Sequence, residues 1–168
     1  MLQGPPPHTL RVSRRPPAAA APHGRDILAG RAEVSGRVLI IDEEGGWPTV
    51  SLAETLAARA GVSAVSVATC ERSVGEPDLI ETLELAGATA RLKAAGITLL
   101  PETLVESVQG STAMTTGGAT LGPFDAIVLS TGTAAQLAPD GALAIGDCVT
   151  PRGIWAAVND AARLARAP

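Results

Sequence analysis

Aliphatic runs and helical stripes alternate along the central part of the chain. Residues 38–41 form a continuous Val-Leu-Ile-Ile run, which is typical of a strand buried on both faces. The apolar positions of residues 49–60 recur at helical spacing, and Gly61 follows as a candidate helix terminator. Residues 64–69 predict a second strand. Together these elements predict a βαβ unit with parallel strands and a right-handed crossover.

The pattern changes after this unit. A helical region is predicted over residues 77–95, closed by Gly96, and a short strand over residues 97–101. The apolar positions that follow alternate with polar ones in short pieces separated by glycines, which predicts an antiparallel meander. These pieces cover residues 104–109, 112–115 and 120–121.

Buried elements return in the last part of the chain. Residues 124–130 and 142–145 predict two further strands. Thr150 and Pro151 predict the start of a final helix, with the threonine as its N-cap and the proline at its first position. The predicted core-facing stripe of this helix consists of Ile154, Val158, Ala161 and Ala165.

Residues 1–25 have a different composition, rich in proline, alanine and arginine. They show no periodic apolar face, so we expect this segment to be disordered. A transit peptide is another interpretation, but three consecutive prolines oppose an amphipathic helix. Translation of GC-rich DNA from an unnatural start is a third. His8 and His23 lie here and are not expected to be catalytic.

Composition and charge exclude several classes of protein. The formal net charge of −4 opposes nucleic-acid binding, which requires clustered basic residues. No apolar run is long enough to cross a bilayer. The two cysteines, Cys70 and Cys148, are too few for a four-ligand zinc site or an iron–sulfur cluster. We expect both to be reduced, Cys148 to be a small packed residue, and the protein to be cytoplasmic.

Three stretches carry a resemblance to a known family. They are residues 26–57, residues 124–132, and residues 144–152 with the helix that follows. The third is the most specific, because it combines a strand ending in Gly-Asp with Pro-Arg and an alanine-rich helix. In this order the stretches resemble the carboxy-terminal nucleotide-binding region of the trimethylamine dehydrogenase and 2,4-dienoyl-CoA reductase family, flavoproteins related to old yellow enzyme.

The resemblance implies an α/β fold, with a Rossmann-like three-layer parallel sheet and a small antiparallel meander. It implies an NAD(P)-binding-type domain over residues 26–123. Residues 124–168 would be the closing half of a second domain that binds FAD or ADP. The family's barrel carries FMN, an iron–sulfur cluster and the substrate pocket, none of which this chain is expected to hold. The resemblance also implies that the first βαβ unit of the FAD domain, with its glycine-rich fingerprint, is missing, so we expect FAD or ADP to be shared with a barrel-containing flavoprotein subunit.

The resemblance also assigns cofactor contacts. Gly132 after Thr131 would allow close backbone approach, and Asp147 after Gly146 would accept a hydrogen bond from a ribose or ribityl hydroxyl. Arg152, near the helix start, would face a phosphate. Structural alternatives remain open: Gly132 permits a turn, Asp147 caps the last helix, and Arg152 faces an acidic neighbour.

The loop after the first strand lacks the GxGxxG pattern of a dinucleotide site. Residues 42–48 read Asp-Glu-Glu-Gly-Gly-Trp-Pro, so carboxylates stand where phosphates would bind and Trp47 adds bulk. Binding of NAD(P)H is therefore doubtful, although Asp42 and Gly45 remain candidate contacts. A solvated acidic loop is the favoured alternative. Glu71, after the second strand, is a weak candidate for holding a ribose.

These observations favour the nucleotide-binding part or subunit of a flavin-dependent oxidoreductase, of amine dehydrogenase, N-demethylase or enoyl reductase type. The chain shows no catalytic triad, metal cluster or acid–base pair. The resemblance implies that the catalytic barrel is missing, so we expect the chain to be inactive alone. Two alternatives stay open: a non-catalytic adenine-nucleotide-binding module, and an orphan fragment of a truncated gene.

Overall fold

The computed structural model describes residues 21–132, 135, 138–151 and 153–166. Its helices are α1 (Gly24–Leu28), α2 (Gly46–Ala57), α3 (Asp78–Glu81), α4 (Leu85–Ala94) and α5 (Ile154–Leu164). Its strands are β1 (Gly36–Asp42), β2 (Val62–Thr69), β3 (Thr98–Leu100), β4 (Val105–Gln109), β5 (Thr112–Thr115), β6 (Thr120–Leu121) and β7 (Ala126–Ser130). The chain divides into two compact units between Thr131 and Gly132.

A parallel sheet with the strand order β3-β2-β1-β7 forms the centre of the first unit. Alternate residues of β1 face opposite sides, as the pleat of a strand requires. Val38 and Ile40 pack with the helices, whereas Leu39 and Ile41 pack with Val105 of the meander. The layers are therefore helices, parallel sheet and antiparallel sheet, and the predicted α/β fold is confirmed.

The helical region predicted over residues 77–95 consists of two helices. Leu83 adopts a left-handed φ of 61° and separates α3 from α4. Both helices contact α2, and the turn lets Leu79 and Leu92 both become fully buried. The break therefore precedes Gly87, which lies inside α4.

The last strand of the first unit joins the sheet of the first strand. β7 pairs in parallel with β1, with Val38 opposite Ala126. The sequence placed residues 124–130 in a second domain, but the chain makes an excursion through the meander and returns to the same sheet. The structural division at Thr131 thus lies later than the boundary expected at residue 123.

Residues 21–25, expected to be disordered, are ordered by contacts with β7. Leu129 donates its backbone N–H to the carbonyl of Pro22 at 3.0 Å. His23 forms a parallel bridge with Leu129 and caps the first turn of α1. This pairing is between distant parts of the chain, so composition does not reveal it. Residues 1–20, with His8, lie outside the described part.

The second unit departs from three predictions. Residues 142–145 form no strand, because a strand needs a neighbouring backbone and no described residue pairs with them. The final helix begins at Ile154 with Gly153 as N-cap, so Thr150 is not the cap. The expected core stripe is exposed within this unit, with Ile154 at 78%. No helix in the described ranges combines the length and apolarity needed to cross a bilayer.

Candidate functional site

Polar residues collect where the parallel strands end. Asp42 closes β1 and lies opposite Thr69 of β2 and Ser130 of β7. Because the strands are parallel, their carboxyl ends meet at one edge of the sheet. In open α/β sheets this edge is the usual place for a ligand.

Asp42 is buried, with 2% of its surface exposed; its Oδ1 is hydrogen-bonded within the protein, whereas its buried Oδ2 has no hydrogen-bond partner among the described residues. Its Oδ1 accepts from the backbone N–H of Gly45 at 2.8 Å and from Thr49 Oγ1 at 2.5 Å. Since the Thr49 hydroxyl donates to Asp42, the Ser130 hydroxyl donates to Thr49 over 2.8 Å. This chain of hydrogen bonds ties β1 and β7 to the start of α2.

Gly45 and Gly46, at the start of α2, are covered by another part of the chain. Both have a left-handed φ, 69° and 66°. A Cβ at Gly45 would overlap the backbone carbonyl oxygen of Glu76, and one at Gly46 would overlap the carboxylate of Asp78. The predicted contact residue Gly45 therefore faces protein atoms.

The sequence favoured a solvated acidic loop here, and the other residues of the loop match that description only in part. Glu43 lies at the surface, and partial desolvation of its carboxyl, followed by the charge of Asp42, raises its pKa. Glu44 is half-buried and forms a salt bridge with Arg25 at 2.5 Å. Trp47 packs against the helix-side core with Arg91 over its ring.

Cys70 and Glu71 follow β2 and are both exposed. The pKa of the Cys70 thiol is raised by partial burial, then by Glu71, and further by Asp42 and Glu43. Glu71 therefore acts on the same thiol as the carboxylates of the β1 loop. Cys148 is exposed within its unit, so the prediction of a packed residue is wrong.

His23 is a feature of the sheet edge that sequence reasoning missed. Its ring lies 2.9 Å from the carbonyl of Thr131 and accepts from the N–H of Arg25. No local pattern marks this contact, because its partners are 108 residues apart. Thr131, a candidate contact residue, thus has its carbonyl held by the protein.

Gly146 and Asp147, two candidate residues of the second unit, contact α5 and its N-cap. Gly146 is buried and donates its N–H to Asp160 Oδ2 at 3.0 Å. Asp147 Oδ1 accepts from the N–H of Gly153, the N-cap of α5, at 3.1 Å. Asp147 therefore binds the backbone of the residue that precedes α5.

Gly132 and Arg152 complete the predicted set. Gly132 is exposed, and a Cβ there would meet no described atom within 4 Å. Arg152 lies outside the described residues. Among those residues, no group of His, Cys, Asp and Glu is placed to hold a metal ion.

No protein-family profile and no curated protein matches this sequence. Solved structures do match. The 6-hydroxypseudooxynicotine amine oxidase of Pseudomonas geniculata N1 is 25% identical, with a TM-score of 0.69 over 84% of this chain and 23% of its own. Histamine dehydrogenase of Rhizobium sp. 4-9 is 20% identical, with a TM-score of 0.72 over 92% of this chain and 28% of its own.

A 2-naphthoyl-CoA reductase is a third similar structure. It is 21% identical, with a TM-score of 0.57 over 89% of this chain and 24% of its own. All three belong to the trimethylamine dehydrogenase and 2,4-dienoyl-CoA reductase family, so the resemblance noted in the sequence is confirmed at the level of fold. This chain spans about a quarter of the length of these enzymes.

Proposed function

We propose that this chain is the nucleotide-binding part of a flavin-dependent oxidoreductase, of amine dehydrogenase, N-demethylase or enoyl reductase type. The observation that carries the proposal is the combined topology of the first unit. Its parallel sheet has a helix layer on one face and the meander on the other, and β7 returns beside β1 after the meander. Oxidoreductases of this family share that fold.

In this proposal the second unit would contribute the residues that hold FAD or ADP. Gly132 supports this assignment, because its exposed backbone leaves room for a cofactor to approach. The 11-residue helix α5 supplies a second feature, since its amino-terminal N–H groups and dipole favour an anion. Asp147 positions that end through Gly153. Gly146 and Arg152 are further proposed contacts.

The chemical role of these residues would be binding and orientation. A bound flavin would supply the electron-transfer chemistry. In this proposal a barrel-containing flavoprotein subunit or region provides the substrate pocket and shares the FAD or ADP. The chain by itself would then turn over neither an amine nor an enoyl thioester.

A non-catalytic adenine-nucleotide-binding module is the second candidate. It is favoured by the covered start of α2, where Gly45 lies against Glu76. Such a module would bind ADP through the second unit in the absence of any flavoprotein partner. The two candidates differ in whether a flavin and a partner are also required.

The test is calorimetric titration of the chain with ADP and FAD, first alone and then with a candidate barrel subunit. A Gly132→Val variant is the informative change, because its side chain would enter open space and leave the fold intact. We expect at least about tenfold weaker nucleotide binding, a loss of about 1.4 kcal/mol. Gly117→Val, in the turn of the meander, is the control. Equal affinity for both variants would refute the assignment of Gly132.

A further inference from the structure

The start of α2 is where a Rossmann-like fold would hold the pyrophosphate of NAD(P)H. We propose that residues Glu76, Pro77 and Asp78 close this position permanently, so that NAD(P)H does not bind at the β1–α2 loop. This inference is independent of the proposed FAD or ADP site, which lies at other residues.

Steric contact is the first support. A dinucleotide fingerprint uses glycines so that the pyrophosphate can approach the backbone closely. Here the space beside the Gly45 Cα is taken by the carbonyl oxygen of Glu76, and that beside Gly46 by the carboxylate of Asp78. The two glycines therefore accommodate another segment of the same chain.

The closing segment is anchored in the core. Val74 is 2% exposed and Leu79 is fully buried, and both pack in the same cluster as Val50 of α2. Gly75 lies between Leu79 and Val50, with its Cβ position 3.0 Å and 3.3 Å from their side chains. Displacing the segment would expose these aliphatic side chains, so it is not a lid that opens for a ligand.

Charge acts in the same direction as packing. The amino-terminal end of α2 favours a negative charge, and carboxylates of the chain itself already lie there. Asp42 accepts from the N–H of Gly45, and Asp78 lies against Gly46. A pyrophosphate entering here would meet two negative charges, those of Asp42 and Asp78. The Asp42 carboxylate is buried, so its repulsion is screened less than it would be in water.

Amide chemical shifts of the full chain test the closure residue by residue. NADH, NADPH and ADP are added separately at millimolar concentration. We expect the amides of Gly45, Gly46 and Thr49 to remain unchanged with each nucleotide. Saturable shifts at these amides with NADH or NADPH would overturn the inference.

The same spectra keep this inference separate from the proposed function. Binding at the proposed FAD or ADP site would shift the amides of Gly132, Gly146 and Gly153. Failure of the proposed function would leave those three unchanged with ADP, without any change at Gly45. Failure of the closure would shift Gly45 and Gly46, whatever happens at Gly132.

A variant tests the contact itself. Asp78→Ala removes the carboxylate beside Gly46 but leaves the anchors Val74 and Leu79 in place. We expect the amide of Gly46 to shift in this variant without any ligand, and NADH still to have no effect, because the Glu76 carbonyl remains. Glu81→Ala, in the same short helix, is the control. An unchanged Gly46 amide in Asp78→Ala would show that the closing contact is absent.

Discussion

The imidazole of His23 donates a hydrogen bond from Nε2 to the carbonyl oxygen of Thr131 over 2.9 Å. The direction follows from the other ring nitrogen. Nδ1 accepts from the backbone N–H of Arg25 at 3.2 Å, so the proton of the neutral ring is on Nε2. One side chain thus caps α1 and holds the last residue of the first unit.

Replacement of His23 tests both hydrogen bonds. We expect His23→Ala to lower the free energy of unfolding by about 1–2 kcal/mol, since it removes a helix cap and a bond to Thr131. His23→Asn should lose less, because asparagine can cap α1 although it is too short to reach Thr131. Urea denaturation measures both. Equal midpoints for wild type and His23→Ala would contradict this role.

Gly45 and Gly30 form a matched pair for the covered start of α2. Their φ angles are 69° and 70°, but only Gly45 has protein atoms where a Cβ would lie. Alanine at either position meets the strain of a positive φ, about 1–3 kcal/mol, and Gly45, with ψ −164°, lies in a region that is nearly restricted to glycine. Gly45→Ala should lose more, because its Cβ also overlaps the carbonyl of Glu76. Similar thermal midpoints for the two variants would show that the segment containing Glu76 moves aside without a measurable loss of stability.

The hydroxyls of Thr49 and Ser130 should be energetically coupled. Thr49→Val leaves Asp42 with one donor fewer, and Ser130→Ala removes the donor to Thr49. Each change should cost about 1–3 kcal/mol. The double variant should lose less than the sum, by about 1 kcal/mol, because both changes break one shared bond.

Urea denaturation of the four proteins in this cycle measures the coupling. Thr49→Val combined with Thr115→Val, a buried change in the meander, is the additive control. Strict additivity in the Thr49 and Ser130 pair would mean that their hydroxyls do not interact in solution.

The acidic surroundings of Cys70 should slow its reaction with iodoacetamide. Because Glu71 helps to raise the pKa of the thiol, less thiolate is present at a given pH. In a Cys148→Ser background, Glu71→Gln should therefore increase the alkylation rate at about pH 8. Glu106→Gln, elsewhere on the surface, should have no comparable effect. An alkylation rate that Glu71→Gln does not change would show that this carboxylate does not raise the pKa of the Cys70 thiol.

Glu43 should give the folded state a pH dependence of definite sign. Its pKa is raised in the folded protein by partial burial and by Asp42. The folded state therefore binds the proton more tightly than the unfolded state. Protonated Glu43 therefore contributes to the stability of the folded state. This contribution is complete below the pKa of Glu43 in the unfolded chain and is lost as the pH rises through its pKa in the folded protein.

Glu43→Gln should consequently stabilise the protein at about pH 7 and have little effect at about pH 3, where the carboxyl is protonated. Glu33→Gln controls for the change in net charge. Unfolding midpoints at the two pH values test this prediction. An equal gain in stability at both pH values would exclude titration of Glu43 as its cause.

Prediction succeeded where structure follows from neighbours in the sequence. The run at residues 38–41 and the helical stripe after it are local signals, and they correspond to β1 and α2. The meander was also predicted, because its strands are joined by short glycine-containing turns. Residues 142–145 show the limit of such signals, since they are apolar but pair with no strand in the described part of the chain and form none themselves.

The candidate site was predictable only in part. Asp42 and Glu71 were placed correctly at strand ends, which a linear pattern can indicate. The sequence did not predict which way the Asp42 carboxylate points, because that depends on Thr49 and on Ser130, which lies on a strand far along the chain.

The sequence by itself determined the βαβ unit, the meander and the family resemblance, because periodic burial and turn residues act over a few positions. Only the tertiary structure decided that His23 contacts Thr131, that β7 lies beside β1, and that Glu76 covers Gly45. Each of these contacts joins residues distant in the chain. Their partners become neighbours only when the sheet and its helix layer are assembled, so the local pattern carries no trace of them.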